Sequence, residues 1–286
     1  MSAATTLSEI LGWSYFMCWS ASFWPQVVLN HRNKSAKGLS LEFTWLNFLG
    51  FACYSMYNCA LFSIPRVHED DKIRNHGSPT NLVKINDVAF SLHALIMTSY
   101  TLYQIYKYDV DPVRILALWC KTTLIATTVV LGFVFVETLA KNERWDAERG
   151  LVHNLYTWLG WFTLVSYVKL GVTCVKYIPQ VYLNYSRKST QGWSVFNVLL
   201  DLSGGILSLM QLVVDAQESG DWSAATDNPV KFGLGFVSIG FDVIFCLQHY
   251  VWYRKDLGGK DEENDDEAQR NHQEEENDAD EGQNLL

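Results

Sequence analysis

At 286 residues, with 49% hydrophobic residues, a mean hydropathy near zero and a net charge of −9, the chain averages like an acidic soluble protein. The average hides two populations. Residues 261–286, DEENDDEAQRNHQEEENDADEGQNLL, are nearly all polar and acidic, which excludes them from a packed core, whereas the rest is far more apolar than a soluble domain.

A bilayer span needs about 20 mostly apolar residues. In chain order, seven segments qualify: 7–30, 40–63, 85–106, 113–137, 153–184, 194–217 and 230–253. Short polar connections between them favour helices over a barrel, whose strands would alternate apolar and polar residues. Eleven Trp and fourteen Tyr suit aromatic belts at two membrane interfaces. The first span has no basic start and so does not read as a cleavable signal. No Lys or Arg precedes Arg32, and Arg32, Lys34 and Lys37 follow the span at once. That asymmetry predicts a lumenal N-terminus and, after seven spans, a cytosolic C-terminus. The six cysteines all fall inside spans without CxxC spacing, so neither disulfides nor a metal site is expected.

A unit in the first span returns in the fifth. FWPQVVLNHRNKSAKGLSLEFTWLN (residues 23–47) aligns with YIPQVYLNYSRKSTQGWSVFNVLLD (residues 177–201) at an offset of 154. DVAFSLHA at Asp87 further pairs with DVIFCLQH at Asp242, at an offset of 155. The expected fold is therefore an all-α membrane protein of seven transmembrane helices, built as two parallel three-helix repeats (spans 1–3 and 5–7) joined by span 4. The corresponding units are residues 1–106, 107–152, 153–255 and a disordered acidic tail, 256–286.

Span 5 carries a polar stripe, Lys169, Thr173, Lys176, Gln180 and Asn184, spaced to share one helical face. A lysine at a helix centre costs roughly 2.5–3.5 kcal/mol on insertion scales, so both lysines are expected to face a solvated path. Lys176, two turns from the span's end, could instead snorkel to the interface. The same five places in span 1 hold Tyr15, Trp19, Ser22, Gln26 and Asn30. In span 6, Asn197 and Asp201 lie one turn apart, and Asp201 replaces Asn47 of the first copy. A carboxylate balanced between burial and a neighbouring lysine can load a proton on one side and release it on the other. Pro25 and Pro179, with Gln26 and Gln180 beside them, read as hinges or as ordinary membrane-helix kinks. His93 and His249 read as packed helix residues, and Lys121 in span 4 has no assigned role. NKS at Asn33 and NYS at Asn184 match the glycosylation pattern but fall on the proposed cytosolic side.

The doubled Pro-Gln motif, each followed by KS and G-x-S, resembles the PQ-loop transporters. GWSYFMCWSASFWPQ, NDVAFSLHA and KFGLGFVSIGFDVIFCLQHY are similar, within that family, to the lysosomal cystine exporters. The resemblance covers all seven spans and is weakest in span 4. It does not extend to the acidic tail or to the large glycosylated lumenal domain of the animal members. It implies that Trp19, Phe23, Asn47, Lys169, Lys176, Asn184, Asn197 and Asp201 contact or gate the solute. It also implies that Asp201 couples a proton, assisted by Asp87 and Asp242.

The expected function is proton-coupled export of L-cystine from lysosome or vacuole to cytosol by alternating access. The partners are L-cystine, protons and the lipid bilayer, with no nucleic acid and no cofactor. No HExxH, GxSxG or phosphate-binding glycine loop suggests an enzyme. Glu281, Leu285 and Leu286 match an acidic dileucine sorting signal that a clathrin adaptor would read. A carrier for cationic amino acids or sugars on the same fold is the competing reading, and a seven-helix receptor the more distant one.

Overall fold

A computed structural model describes residues 3–74, 83, 85–108, 115–146, 148–219 and 229–254. The acidic tail, with Glu281, Leu285 and Leu286, lies outside the described residues. Among those described, the architecture is helical, with a lone bridge between Glu143 and Thr157. The helices are α1 (Ala3–Asn33), α2 (Leu41–Ser63), α3 (Pro65–Arg74), α4 (Ile85–Tyr108), α5 (Leu118–Lys141), α6 (Gly150–Leu155), α7 (Trp158–Val175), α8 (Ile178–Arg187), α9 (Val195–Ser219) and α10 (Pro229–Leu247). A π-helical turn, Gln248–Trp252, continues α10.

Helices α1, α2 and α4 contain 31, 23 and 24 residues. At 1.5 Å per residue each exceeds the roughly 30 Å of a bilayer's hydrocarbon core. Three stretches also meet a strict apolarity requirement for crossing: Leu118–Lys141, Trp158–Arg187 and Val195–Glu218. The chain is a multi-pass membrane protein. Bare Ile125, Val129, Phe133 and Val136 on α5 suit lipid contact. Lys121 is exposed in the first turn of α5, where its ammonium can reach the interface.

Local sequence sets the breaks. Ser40 caps α2 by accepting from Phe43 N at 3.2 Å, and Thr157 caps α7 by accepting from Gly160 N at 3.0 Å. The two prolines behave differently. Pro25 lies inside the unbroken α1, whereas Pro179 opens α8 just after the helix is interrupted at Lys176 and Tyr177. The fifth predicted span is therefore two helices, preceded by the short α6. Each PQ helix ends on a lysine in the left-handed region, Lys34 (φ 46°) and Lys188 (φ 52°).

The packing closes a ring. α1 lies against α9 and α4, α4 against α2, α2 against α7, α7 against α10, and α10 against α9. α5 sits outside the ring, on the seam between α7 and α2. There Trp161 Nε1 donates to Leu131 O at 3.0 Å.

The 154-residue offset holds for α1 with α7–α8 and for α2 with α9. It fails for the third helices, which corrects the pairing of Asp87 with Asp242. Asn30 Nδ2 donates to Gln104 Oε1 at 3.1 Å, and Gln104 Nε2 to Val27 O at 2.9 Å. In the other half Asn184 Nδ2 donates to Gln248 Oε1 at 2.9 Å, and Gln248 Nε2 to Val181 O at 3.0 Å. Gln104 therefore matches Gln248, an offset of 144, which also superposes residues 85–108 on 229–252 end to end. The ten residues of α3 take up the difference. Asp242 corresponds to Thr98, and Asp87 lies three helical turns away from that level.

Candidate functional site

The ring encloses a cavity of about 710 Å³ that draws lining residues from all six of its helices. One wall carries charge. Lys169 on α7 and Lys176 at its C-terminal end line it, since a lysine's stem can lie along apolar neighbours while its ammonium seeks polar ones. Lys169 Nζ donates to Thr173 Oγ1 at 3.1 Å and lies 4.5 Å from the centre of the Phe51 ring. Lys176, only 7% exposed, donates from Nζ to Asn47 Oδ1 at 3.0 Å and lies 4.5 Å from the Tyr177 ring centre. These cation–ring contacts and single hydrogen bonds hold each ammonium while leaving donors unused.

Asp201 enters from α9 on the same side. Its Oδ2 accepts from Tyr177 Oη at 3.2 Å and from Ser238 Oγ at 3.4 Å, and those two hydroxyls are 3.0 Å apart. Its backbone carbonyl accepts from Trp19 Nε1 at 3.2 Å. This close approach needs Gly204, since a Cβ there would come within 2.5 Å of the Trp19 indole. Asp242 is buried on α10, and its Oδ2 has no hydrogen-bond partner.

The facing wall is neutral and aromatic. Phe23 packs edge-on to Phe51 at 5.5 Å and to His93 at 5.9 Å, while Phe90 lies 6.1 Å from Trp19 and 6.2 Å from Phe51. A solute here would meet ammonium and carboxylate groups on one side and ring faces, with the Asn47 amide, on the other.

One end of the cavity is closed by the two PQ units. Gln26 Oε1 accepts from Ser194 N at 2.8 Å, while its Nε2 donates to Gly192 O at 3.0 Å and to Asn30 Oδ1 at 2.8 Å. Gln180 repeats the pattern: Oε1 accepts from Ser40 N at 2.7 Å, and Nε2 donates to Gly38 O at 3.0 Å and to Asn184 Oδ1 at 2.9 Å. Each glutamine thus holds the loop of the opposite repeat. Gly38 and Gly192 meet between them so closely that a Cβ on Gly192 would fall 2.9 Å from Gly38 Cα. Arg187 Nη1 adds bonds to Lys37 O and Gln191 O. Leu39, Trp193, Val198, Phe245 and Tyr177 pack beneath this latch.

The cavity's lining includes Trp19, Phe23, Asn47, Lys169, Lys176, Asn197, Asp201, Asp87 and Asp242. Asp87 stands apart, three helical turns from the level of Thr98, and its backbone carbonyl accepts from Asn58 Nδ2 at 3.3 Å. Asn184 does not line the cavity; it is fully buried within the latch. Gln26 and Gln180 join the two repeats through these bonds. His93 is packed against aromatic rings, and His249 Nδ1 lies 2.7 Å from Thr190 Oγ1.

Sequence reasoning missed Tyr177, Ser238, Thr98, Phe51 and Phe90. Tyr177 was within reach as the counterpart of Phe23 at the same offset. Ser238 and Thr98 were hidden by the slipped register of the third helices.

A PQ loop repeat model matches residues 7–66 and 161–221, the segments spanning α1–α2 and α7–α9. A cystinosin homolog of Dictyostelium discoideum is 42% identical over 254 residues, covering 89% of this chain and 84% of the relative. Bos taurus cystinosin is 40% identical over 252 residues, covering 88% of this chain and 65% of its own length. The cystine transporter of Saccharomyces cerevisiae is 30% identical over 257 residues, with 86% and 94% covered. The chain spans 58% of the Drosophila melanogaster cystinosin that it matches at 42% identity. With the doubled PQ unit, its cross-repeat bonds and these likenesses together, the chain belongs to the cystinosin family of PQ-loop repeat proteins.

Proposed function

We propose that the chain is a proton-coupled transporter that exports L-cystine from an acidic lysosomal or vacuolar lumen to the cytosol by alternating access. The observation that carries this reading is the two-walled cavity. L-cystine offers two carboxylates, two ammonium groups and a central disulfide. Lys169 and Lys176 suit the carboxylates, buried acids suit the ammonium groups, and the rings of Trp19, Phe23 and Phe51 suit the sulfur atoms. Asn47 and Asn197 supply neutral hydrogen-bonding groups, and Asn184 acts through the latch.

Asp201 is the proton carrier in this reading. Its carboxylate is held by two hydroxyls rather than by a short ion pair, so adding a proton breaks no salt bridge. Asp242 and Asp87 assist, at two different depths. α1, α2, α4, α5, α7–α8, α9 and α10 are the seven spans, with the N-terminus lumenal and the latch cytosolic. The latch being closed, this conformation faces the lumen. Outward movement of the solute then requires Gln26 and Gln180 to release the opposite loops while the far end narrows.

The test is uptake of labelled cystine, lysine and glucose by cells displaying the protein at their surface, with acid outside. Cystine is expected to accumulate and the other two not. Uptake of lysine or glucose without cystine would overturn the reading and favour another cargo on the same fold. Two cavity lysines already weigh against a cationic solute.

A further inference from the structure

Thr98 is 2% exposed, lines the cavity from α4, and its Oγ1 has no hydrogen-bond partner among the described residues. Helical hydroxyls usually bond back to a carbonyl one turn earlier. Its neighbours do so: Ser99 Oγ donates to Leu95 O at 2.7 Å and Thr101 Oγ1 to Met97 O at 2.9 Å. A buried hydroxyl left without a partner is costly and calls for an explanation.

The register of the third helices supplies one. Thr98 lies six residues before Gln104, as Asp242 lies six before Gln248, and the two glutamines make equivalent bonds. Asp242 Oδ2 is also buried without a partner. One unpartnered oxygen therefore stands on each half of a two-fold pseudo-symmetric cavity, at the same level. Lys169, Lys176, Asp201 and Asp242 all belong to the second half. A solute with a charged amino-acid group at each end must leave one end on the first half, where Thr98 offers a hydroxyl that no protein group uses.

We infer that Thr98 is a specificity-determining contact for one polar end of a two-ended zwitterionic solute, the counterpart of Asp242 on the opposite half. This rests on cystine as cargo. The hydroxyl can accept from an ammonium group or donate to a carboxylate, and freeing it breaks no bond within the protein.

The test compares the full chain with Thr98→Val and Thr98→Ser, reconstituted in vesicles, measuring labelled cystine transport across a range of pH. Valine keeps the shape and removes a hydroxyl that bonds to nothing in the protein, so the thermal midpoint is expected to hold. Its KM for cystine should rise roughly tenfold, the loss of one bond to a charged group, with kcat and the pH profile kept. Serine should restore KM to within about twofold of the parent. An unchanged KM in Thr98→Val, or a fall in thermal midpoint and kcat that serine does not repair, overturns the inference. A parent chain that moves no cystine overturns this inference and the transport reading together. A parent that moves cystine beside an unaltered Thr98→Val overturns this inference alone.

Discussion

Asn47 and Asp201 occupy the same place in the two halves, and Ser22 and Lys176 do likewise. Duplication supplied matched positions, and these exchanges gave the second half a lysine and a carboxylate where the first half has a serine and an amide. Lys176 reaches across to Asn47 at 3.0 Å, so the charged half uses the neutral half as a partner. Asp201→Asn keeps an acceptor for Tyr177 and Ser238 and is expected to fold, but it cannot take up a proton. Transport by that variant should lose its dependence on the pH gradient, read as flux with lumenal pH varied at fixed cytosolic pH. An unchanged pH profile would place the proton elsewhere. Lys176→Ala removes a charge-assisted donor and should raise KM for cystine by at least about tenfold. A normal KM would make Lys176 structural. The charged stripe was legible in the sequence because helical spacing alone put Lys169 and Lys176 on one face. The bonds around Asp201 were not, since their donors, Trp19, Tyr177 and Ser238, come from parts of the chain that only tertiary packing brings to α9.

The PQ units work as elements, each anchored in the opposite repeat. Gln180 contributes two bonds to the other loop, to Ser40 N and Gly38 O, each worth about 1 kcal/mol net. Gln180→Ala should therefore favour the latch-open state by roughly tenfold or more. The readout is labelling of a cysteine placed at Thr44, in a chain otherwise cleared of cysteines, by an impermeant reagent added from the latch side. Labelling no faster than in the parent would show that the loops close without the glutamine. Gly192→Ala acts oppositely to a simple loosening, because φ 79° and the contact with Gly38 leave no room for a Cβ. It should block closure and reduce transport turnover, measured as kcat for cystine, with the solute-lining residues intact.

The PQ…N…KS…G.S skeleton was visible at a 154-residue offset because its members contact backbone. Gln26 and Gln180 grip loops, Asn30 and Asn184 orient the glutamines, and the glycines allow contact. Such roles tolerate few residue types, so both copies retain them. The third helices misled for a physical reason. The similar DVxFxL strings stand eleven residues out of register, close to three helical turns, so both place their acids on the same helical face at different depths. Periodicity reports face and is blind to depth. The two prolines were equally ambiguous: one interrupts its helix and the other does not, and the sequence around them is nearly the same.

At the scale of the molecule, six helices in a ring enclose the polar cavity, and α5 braces the α2–α7 seam from outside. The brace reaches the far end of the ring as well. Arg66 Nη2 donates to Asn142 O at 2.7 Å, and Arg144 Nε lies 2.7 Å from the fully buried Asp70. Among the described residues no helix covers the equivalent α1–α9 seam, which is tied by its own side chains, with Gln211 Nε2 donating to Ser8 O at 3.0 Å. In the proposed function one cavity carries cystine and a proton together. The most direct test is simultaneous recording of current and labelled cystine flux in vesicles holding the full chain, with acid on the lumenal side. Cystine is close to neutral as a zwitterion, so coupled transport predicts a cystine-evoked positive current from the lumenal to the cytosolic side that scales with flux and vanishes in Asp201→Asn. Cystine flux without current, at a rate indifferent to the pH gradient, would contradict it.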